Sequence, residues 1–455
     1  MVVDDFADFA VRSRATPLPE EVAQAATRAL VDWYGATLAG SGMPPAAALR
    51  RALAALGAPG PARLIPDGAS ADARTAALVN GTASHTAELD DIWRDGIYHP
   101  GSPTVAAALA AAEQLGASGQ QLLRAIAVGY EIGCRIAAAV QPSHYTFWHT
   151  TGTVGTLGAA AAVAELLQLD RTAFAHALAT ATTNAAGLQQ AFRSESMSKP
   201  LHAGHAAQSG LVAAFAAREG FTGARDVLEG PAGFGAAMSE DVDWADAVAR
   251  LGTTWAVTRP TVKNHSACGH TFAAVDAALE LRAAGVDPDT VRAVEVDTYT
   301  TATRVAGNAD PATAFEAKFS MAYCVAAAFR LGTVRLAAFT GERLADPGLR
   351  DLVARTTVRP SAEFDKDFPG LRRARVTVHL ADGTSPTRTR NTRKGDPDDP
   401  LSDAELRAKF DELARPVLGP EAAAELGARL WAVGGADDVR DRLAPAKAAH
   451  RGEAA

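Results

Sequence analysis

The stretch from His85 to His99, HTAELDDIWRDGIYH, sets four acids, Glu88, Asp90, Asp91 and Asp95, between two histidines. A histidine beside a carboxylate has its tautomer fixed and its basicity raised, and that is how a general base is made. The adjacent Asp90 and Asp91, followed by His99-Pro100, therefore read as acid–base machinery. The plainer alternative is a polar loop joining two helices.

A second candidate is HYTFWHTTGTVGTLG, residues 144–158, where Gly152, Gly155 and Gly158 alternate with threonines. No GKS or GKT follows and no apolar strand precedes it, so it is not a phosphate loop. Small residues there let a helix start close to another backbone, with its N-terminal amides open to a carboxylate and His149 at the mouth. The competing reading packs His149 as a core residue among Phe147 and Trp148. Lys199 in SKPLHAGHAAQSG and Lys263 in VKNHSACGH have mostly uncharged neighbours, which suits a substrate carboxylate; a lysine that snorkels to solvent fits equally well. His202 with His205, and His265 with His270, have spacings that could offer metal ligands. Neither lies in an HExxH pattern or has a matching acidic ligand, so no metal site is expected. Tyr323 lies in an apolar helical stretch, where a buried phenol commonly finds one partner.

These residues need scaffolding, and the punctuation supplies it. From Pro19 to about Gly252 helix follows helix: Ser118 can cap one carrying Leu122, Leu123, Ile126, Tyr130 and Ile136, Asp170 can cap RTAFAHALATA, and Gly220 closes the segment begun near His202. After residue 253, VRAVEVDTYT (291–300) and ARVTVHLADGTSPTRT (374–389) alternate at period two, the second around an Asp382-Gly383 turn. FEAKFSMAYCVAAAFRLG (315–332) returns to helical spacing. The expected fold is therefore mainly α: a large all-helical domain over 1–252, a smaller α+β domain over 253–397, and a segment over 398–455, helical from Ser402 to about Leu443, that returns to the first. PAKAAHRGEAA at the end reads as frayed. No fixed-period repeat is present.

With 455 residues, 48% of them apolar, the chain can bury more than one core. A net charge of −8 without a basic stripe argues against nucleic acid or an anionic membrane as partner. Cys134, Cys268 and Cys324 form neither a metal motif nor a disulfide framework, pointing to a reducing, cytoplasmic setting. Neither a leader nor a membrane-spanning run is legible.

Taken in order, NGTASHTAELDD, HPGSPTVAAALAAAE, SGQQLLRAIAVGYEIGCR, FWHTTGTVGTLGAAAAVAELLQLD, KPLHAGHAAQSGLVAAFAAREGFTG, LEGPAGF, VKNHSACGHTFAAVDAAL and KFSMAYCVAAAF resemble the MmgE/PrpD family. That family includes 2-methylcitrate dehydratases, cis-aconitate decarboxylases and an iminodisuccinate epimerase. The resemblance implies a helical domain built from both chain ends, a smaller α+β lid, an active site between them, a homodimer, and no metal or organic cofactor. It places His99, His149, Lys199, Lys263 and Tyr323 around the substrate, and Asp90 and Asp91 on the family's acidic pair; His85, Glu88 and Cys268 join them as substrate-side residues. Relatives acting as decarboxylases carry an aspartate where this chain has Glu88, a threonine at Ile92 and a histidine at Cys268, and their loop to His99 is one residue shorter.

The implied activity is a hydro-lyase of the 2-methylcitrate dehydratase type, removing a proton alpha to a carboxylate. His99 and His149 would share the acid and base roles, oriented by Asp90 and Asp91, with Tyr323 as a further donor. Epimerisation of an iminodisuccinate-like acid and decarboxylation of a cis-aconitate-like acid use the same ingredients. A non-catalytic carboxylate-binding protein is the alternative of another class.

Overall fold

The computed structural model describes residues 1–194, 196–368 and 370–443. The tail read as frayed lies outside them. The chain forms two compact units, one of Met1–Thr261 together with the segment from Ser402, the other of Val262–Leu401. Residues 253–261 stay with the first unit, later than the sequence pattern placed the change. The reason is contact: Ala256 N donates to Glu131 Oε2 at 2.6 Å, the Trp255 ring lies 5.3 Å from that of Phe9, and Thr261 exchanges two 2.8 Å backbone hydrogen bonds with Ile92.

The first unit is a stack of helices, among them Glu20–Ser41, Ala73–Thr86, Gly101–Leu115, Gly119–Ala139, Thr150–Leu166, Ser198–Arg218 and Asp403–Leu418. Their starts follow the local chemistry. Ser118 and Gln121 form a reciprocal capping box, Asp170 accepts from Ala173 N, and Ser402 with Glu405 repeats the box. Every residue of Thr150–Leu166 is buried, as expected of a helix apolar all round. The unit is not wholly helical: three-residue strands β1 (Ala62–Leu64) and β2 (Ala69–Ala71) pair antiparallel, too short to show a period in sequence.

Close approach of the helices Ala73–Thr86 and Ser198–Arg218 depends on glycine. A Cβ at Gly204 would lie 2.2 Å from the Leu78 carbonyl oxygen and 2.3 Å from Thr82 Oγ1, and the backbone oxygen cannot move aside. Gly204→Ala is expected to destabilise the protein by about 2–3 kcal/mol, seen as a lowered thermal midpoint.

The second unit holds a four-stranded sheet of order β4-β3-β5-β6, with β3 Val291–Thr298, β4 Thr356–Pro360, β5 Ala374–Leu380 and β6 Thr387–Arg390. β3 pairs parallel with β4 and antiparallel with β5; Val294 faces Val378 and Val296 faces Val376 across the latter ladder. Those valines pack with Phe272, Ala326 and Phe329 of the helices Phe272–Ala283 and Met321–Leu331. The stretch read as one helix over 315–332 is two, because Ser320 Oγ accepts from Tyr323 N at 3.1 Å and starts a new one. No helix among the described residues is long and apolar enough to cross a membrane.

Candidate active site

The first unit brings four imidazoles into a row. His85 lies on the last turn of Ala73–Thr86 and His99 just before Gly101–Leu115. His149 is the N-cap of Thr150–Leu166, and His202 is on the first turns of Ser198–Arg218. Ring centroids are 4.7 Å apart for His99 and His85, 5.4 Å for His85 and His149, and 5.2 Å for His149 and His202.

Asp90 organises one end of the row. Its Oδ2 accepts from His85 Nδ1 at 2.7 Å and from Ser102 Oγ at 2.8 Å, and lies 3.1 Å from His99 Nδ1. Burial alone would raise this carboxyl; His85 and His99 outweigh it and hold Asp90 well below the usual carboxylate range. The anion keeps a proton on Nδ1 of each histidine, so each presents a basic Nε2. His85 is sealed, with its Nε2 buried and without a hydrogen-bond partner among the described residues. The His99 side chain is 14% exposed and so reachable by substrate.

At the other end, His149 Nδ1 and His202 Nδ1 lie 3.0 Å apart. Burial, followed by the charges of His85 and Lys199, holds His149 well below its ordinary value, and burial brings His202 to about 4. Both are neutral at pH 7, sharing one hydrogen between the two Nδ1 atoms.

The loop that carries Asp90 is tightly held. Glu88 adopts φ 59°, a left-handed conformation uncommon outside glycine, and the Leu89 carbonyl accepts from Lys409 Nζ at 2.8 Å. Ile92 pairs with Thr261, Trp93 with Tyr98, and Gln141 Nε2 donates to Gly96 O at 3.0 Å. His99 N donates to Thr151 Oγ1 at 3.2 Å, fixing the loop's far end on the helix Thr150–Leu166.

Three roles expected from sequence need correction. Asp91 orients no histidine: its Oδ1 accepts from Gly101 N at 3.0 Å and its Oδ2 from Tyr130 OH at 2.9 Å, so it caps the helix Gly101–Leu115. Burial and then the charge of Asp32 push it up to about 7. Lys199 does not stand among uncharged groups, since Glu88 forms an ion pair with it. Tyr323 is buried in the second unit's core, donates to Ala338 O at 2.7 Å and is pushed up to about 12 by burial, so its proton is committed to a backbone carbonyl. Lys263 and Cys268 belong to the second unit, the lysine buried and the cysteine partly so. Ser102 and Lys409 carry no sequence signal, being joined to Asp90 and Leu89 only by the fold.

His85, Asp90 and His99 offer ligand atoms within 4.8 Å of one another, a spacing open to a cation. A cation there would have to replace the proton His85 gives to Asp90. The other histidine pairs behave differently: His265 donates to Asp276 at 2.8 Å, and His270 Nδ1 lies 2.6 Å from Tyr299 OH.

The chain matches the MmgE/PrpD N-terminal domain over residues 4–247 and the MmgE/PrpD C-terminal domain over 265–432. It belongs to the MmgE/PrpD family. Within curated relatives of this family, it is 28% identical to the cis-aconitate decarboxylase-like protein oryM of Aspergillus oryzae, across 97% of this chain and 96% of that protein. It is 29% identical to the cis-aconitate decarboxylase of Mus musculus, across 75% and 72%. For the Aspergillus terreus cis-aconitate decarboxylase the values are 27%, across 85% and 84%.

In this MmgE/PrpD protein the Glu88 carboxylate occupies the ammonium of Lys199. A substrate carboxylate that seeks Lys199 must displace it. Glu88→Gln is expected to lower KM for an anionic substrate about tenfold, the value of one charge-assisted hydrogen bond. Steady-state kinetics check this; an unchanged or higher KM would mean that Lys199 does not bind substrate.

Proposed function

We propose that the chain is an acid–base lyase acting on a small polycarboxylate. The observation that carries this is His99, partly exposed, with Nδ1 facing the buried Asp90 anion and Nε2 left as a base. In the dehydration we favour, His99 Nε2 takes the proton from the carbon beside a carboxylate. The electron pair passes through the enediolate to form the alkene, and the C–O bond breaks. His99, now an imidazolium, gives that proton to the departing hydroxyl, so that water leaves and His99 returns to neutral, with the neutral His149–His202 pair beside it. Lysine charge at Lys199 answers the dianion that develops at the carboxylate; such preorganised charge is commonly the largest catalytic contribution. Each positioned acid or base adds about 10²- to 10⁴-fold. Support for dehydration comes from the family resemblance, which sets Glu88, Ile92 and Cys268 apart from the residues expected of decarboxylases.

The names of the curated relatives favour a second reading, decarboxylation of a cis-aconitate-like acid. There the bond to one carboxylate breaks, carbon dioxide leaves, and His99 as an imidazolium returns a proton to the carbanion. Incubation in deuterated water with citrate-like hydroxy acids, cis-aconitate and iminodisuccinate, followed by NMR, separates these outcomes. Alkene formation from a hydroxy acid supports dehydration and loss of a carboxylate supports decarboxylation. Deuterium gain without elimination would replace both with epimerisation, and binding without any reaction would replace them with a carboxylate-binding protein.

A further inference from the structure

The second unit contains a positive centre that the acid–base row does not use. At Gly269 the direction a side chain would take points at two guanidinium groups, with Arg393 Nη1 3.0 Å and Arg372 Nη1 3.9 Å from the position of a Cβ. Arg393 is 1% exposed and neutralised, because its Nε and Nη2 donate to the two carboxylate oxygens of Asp396 at 2.9 and 2.7 Å. Its Nη1 also reaches Gly269 O at 3.3 Å.

Arg372 has no such partner: among the described residues no hydrogen bond or ion pair engages its guanidinium, although the residue is only partly exposed. Burial, and next the charge of Arg393, hold it below the ordinary arginine range. A cation taken out of water without a counter-ion is costly unless a ligand supplies one.

The neighbouring groups are donors rather than acids. Tyr299, pushed up to about 12 by burial, keeps its proton and gives it to His270 Nδ1 at 2.6 Å. His270, brought to about 4 by burial and by Arg372 and Arg393, is neutral, which leaves its Nε2–H as a donor. Tyr299 stacks on Phe368 at 4.6 Å, forming an aromatic wall beside the cation.

We propose that Arg372, with His270 beside it and the bare Cα of Gly269 giving room, is the receptor for one carboxylate of a small polycarboxylate. The guanidinium fork matches a carboxylate through two parallel N–H···O bonds, a geometry lysine cannot reproduce. This rests on the proposed function for the identity of the anion, but not for the existence of the site.

Calorimetric titration of the full chain with tricarballylate, a tricarboxylate with neither a hydroxyl to lose nor an alkene, tests it. Arg372→Gln is expected to weaken binding at least about tenfold, and Arg372→Lys by less, as one bidentate pair is lost or reduced to a point charge. Because no carboxylate among the described residues is paired with the cation, the unliganded Arg372→Gln protein should melt no lower than wild type, and the rise in melting temperature that tricarballylate gives wild type should disappear. Equal affinity in wild type and Arg372→Gln overturns the inference and leaves the proposed function standing. Wild type that binds no polycarboxylate removes both. Inorganic phosphate binding more tightly than tricarballylate, and through Arg372, overturns the carboxylate assignment while keeping turnover on polycarboxylates open to the NMR test.

Discussion

Asparagine in place of Asp90 is expected to lower turnover by about 10³- to 10⁴-fold, comparable to the loss when the orienting aspartate of a serine-protease triad is replaced by asparagine. One oxygen of Asp90 serves His85, His99 and Ser102 together. The variant keeps the shape but removes the anion, and an amide NH2 turned toward an imidazole Nδ1 forces the proton to Nε2, where a base needs its lone pair. Stability should respond with a definite sign. The folded pKa of Asp90 lies well below its unfolded value near 4. Its contribution is therefore fully present above that unfolded value and is lost as pH falls through the folded one. Asp90→Asn should melt lower than wild type at pH 7, with the gap starting to narrow only below about pH 4. Thermal melts of both proteins across that range, alongside kcat, check both halves.

Lys409→Met is expected to cost about 3–5 kcal/mol, the usual penalty for stripping one partner from a buried ion pair. Lys409 Nζ lies 2.6 Å from Asp32 Oδ1 and 2.8 Å from Leu89 O, and the Lys409 and Asp32 side chains are 1% and 2% exposed. Burial raises the Asp32 carboxyl and Lys409 pulls it back; without the lysine the burial is left largely unopposed. Leu89 immediately precedes Asp90, so the same change loosens the loop that aims the histidines, and kcat should fall together with the melting temperature. Asp32→Leu combined with Lys409→Met should recover most of the stability, since two apolar groups replace two charges, but not the activity, since the Leu89 carbonyl still lacks its donor. A single variant that melts like wild type would show that Lys409 is not what holds the loop.

What was legible in the sequence was what chemistry and local spacing encode. His85, Asp90 and His99 stood out because acids between histidines are chemically conspicuous, and the fold brings them together. The helix caps at Ser118, Asp170 and Ser402 were readable because a cap is satisfied within three residues. Asp91 looked the equal of Asp90, yet neighbouring residues in a turn point in different directions, and only one meets a histidine. The Lys199 environment was misread because Glu88 reaches it through a backbone turn and a separation of 111 positions. Lys409 is 377 positions from Asp32, and nothing in either neighbourhood announces the pair. β4 was missed because TTVRP is short, ends in proline and pairs in parallel with a strand 62 positions earlier, Val294 with Thr356. Nonlocal pairing of this kind leaves no period in the chain.

The most direct test of the central claim compares wild type and His99→Ala on the polycarboxylate panel, with circular dichroism and melting curves recorded on the same samples. Wild type is expected to convert at least one member, and His99→Ala to fold and melt closely like it while losing at least about 10²- to 10⁴-fold of the rate. Full activity in a folded His99→Ala protein would contradict that claim.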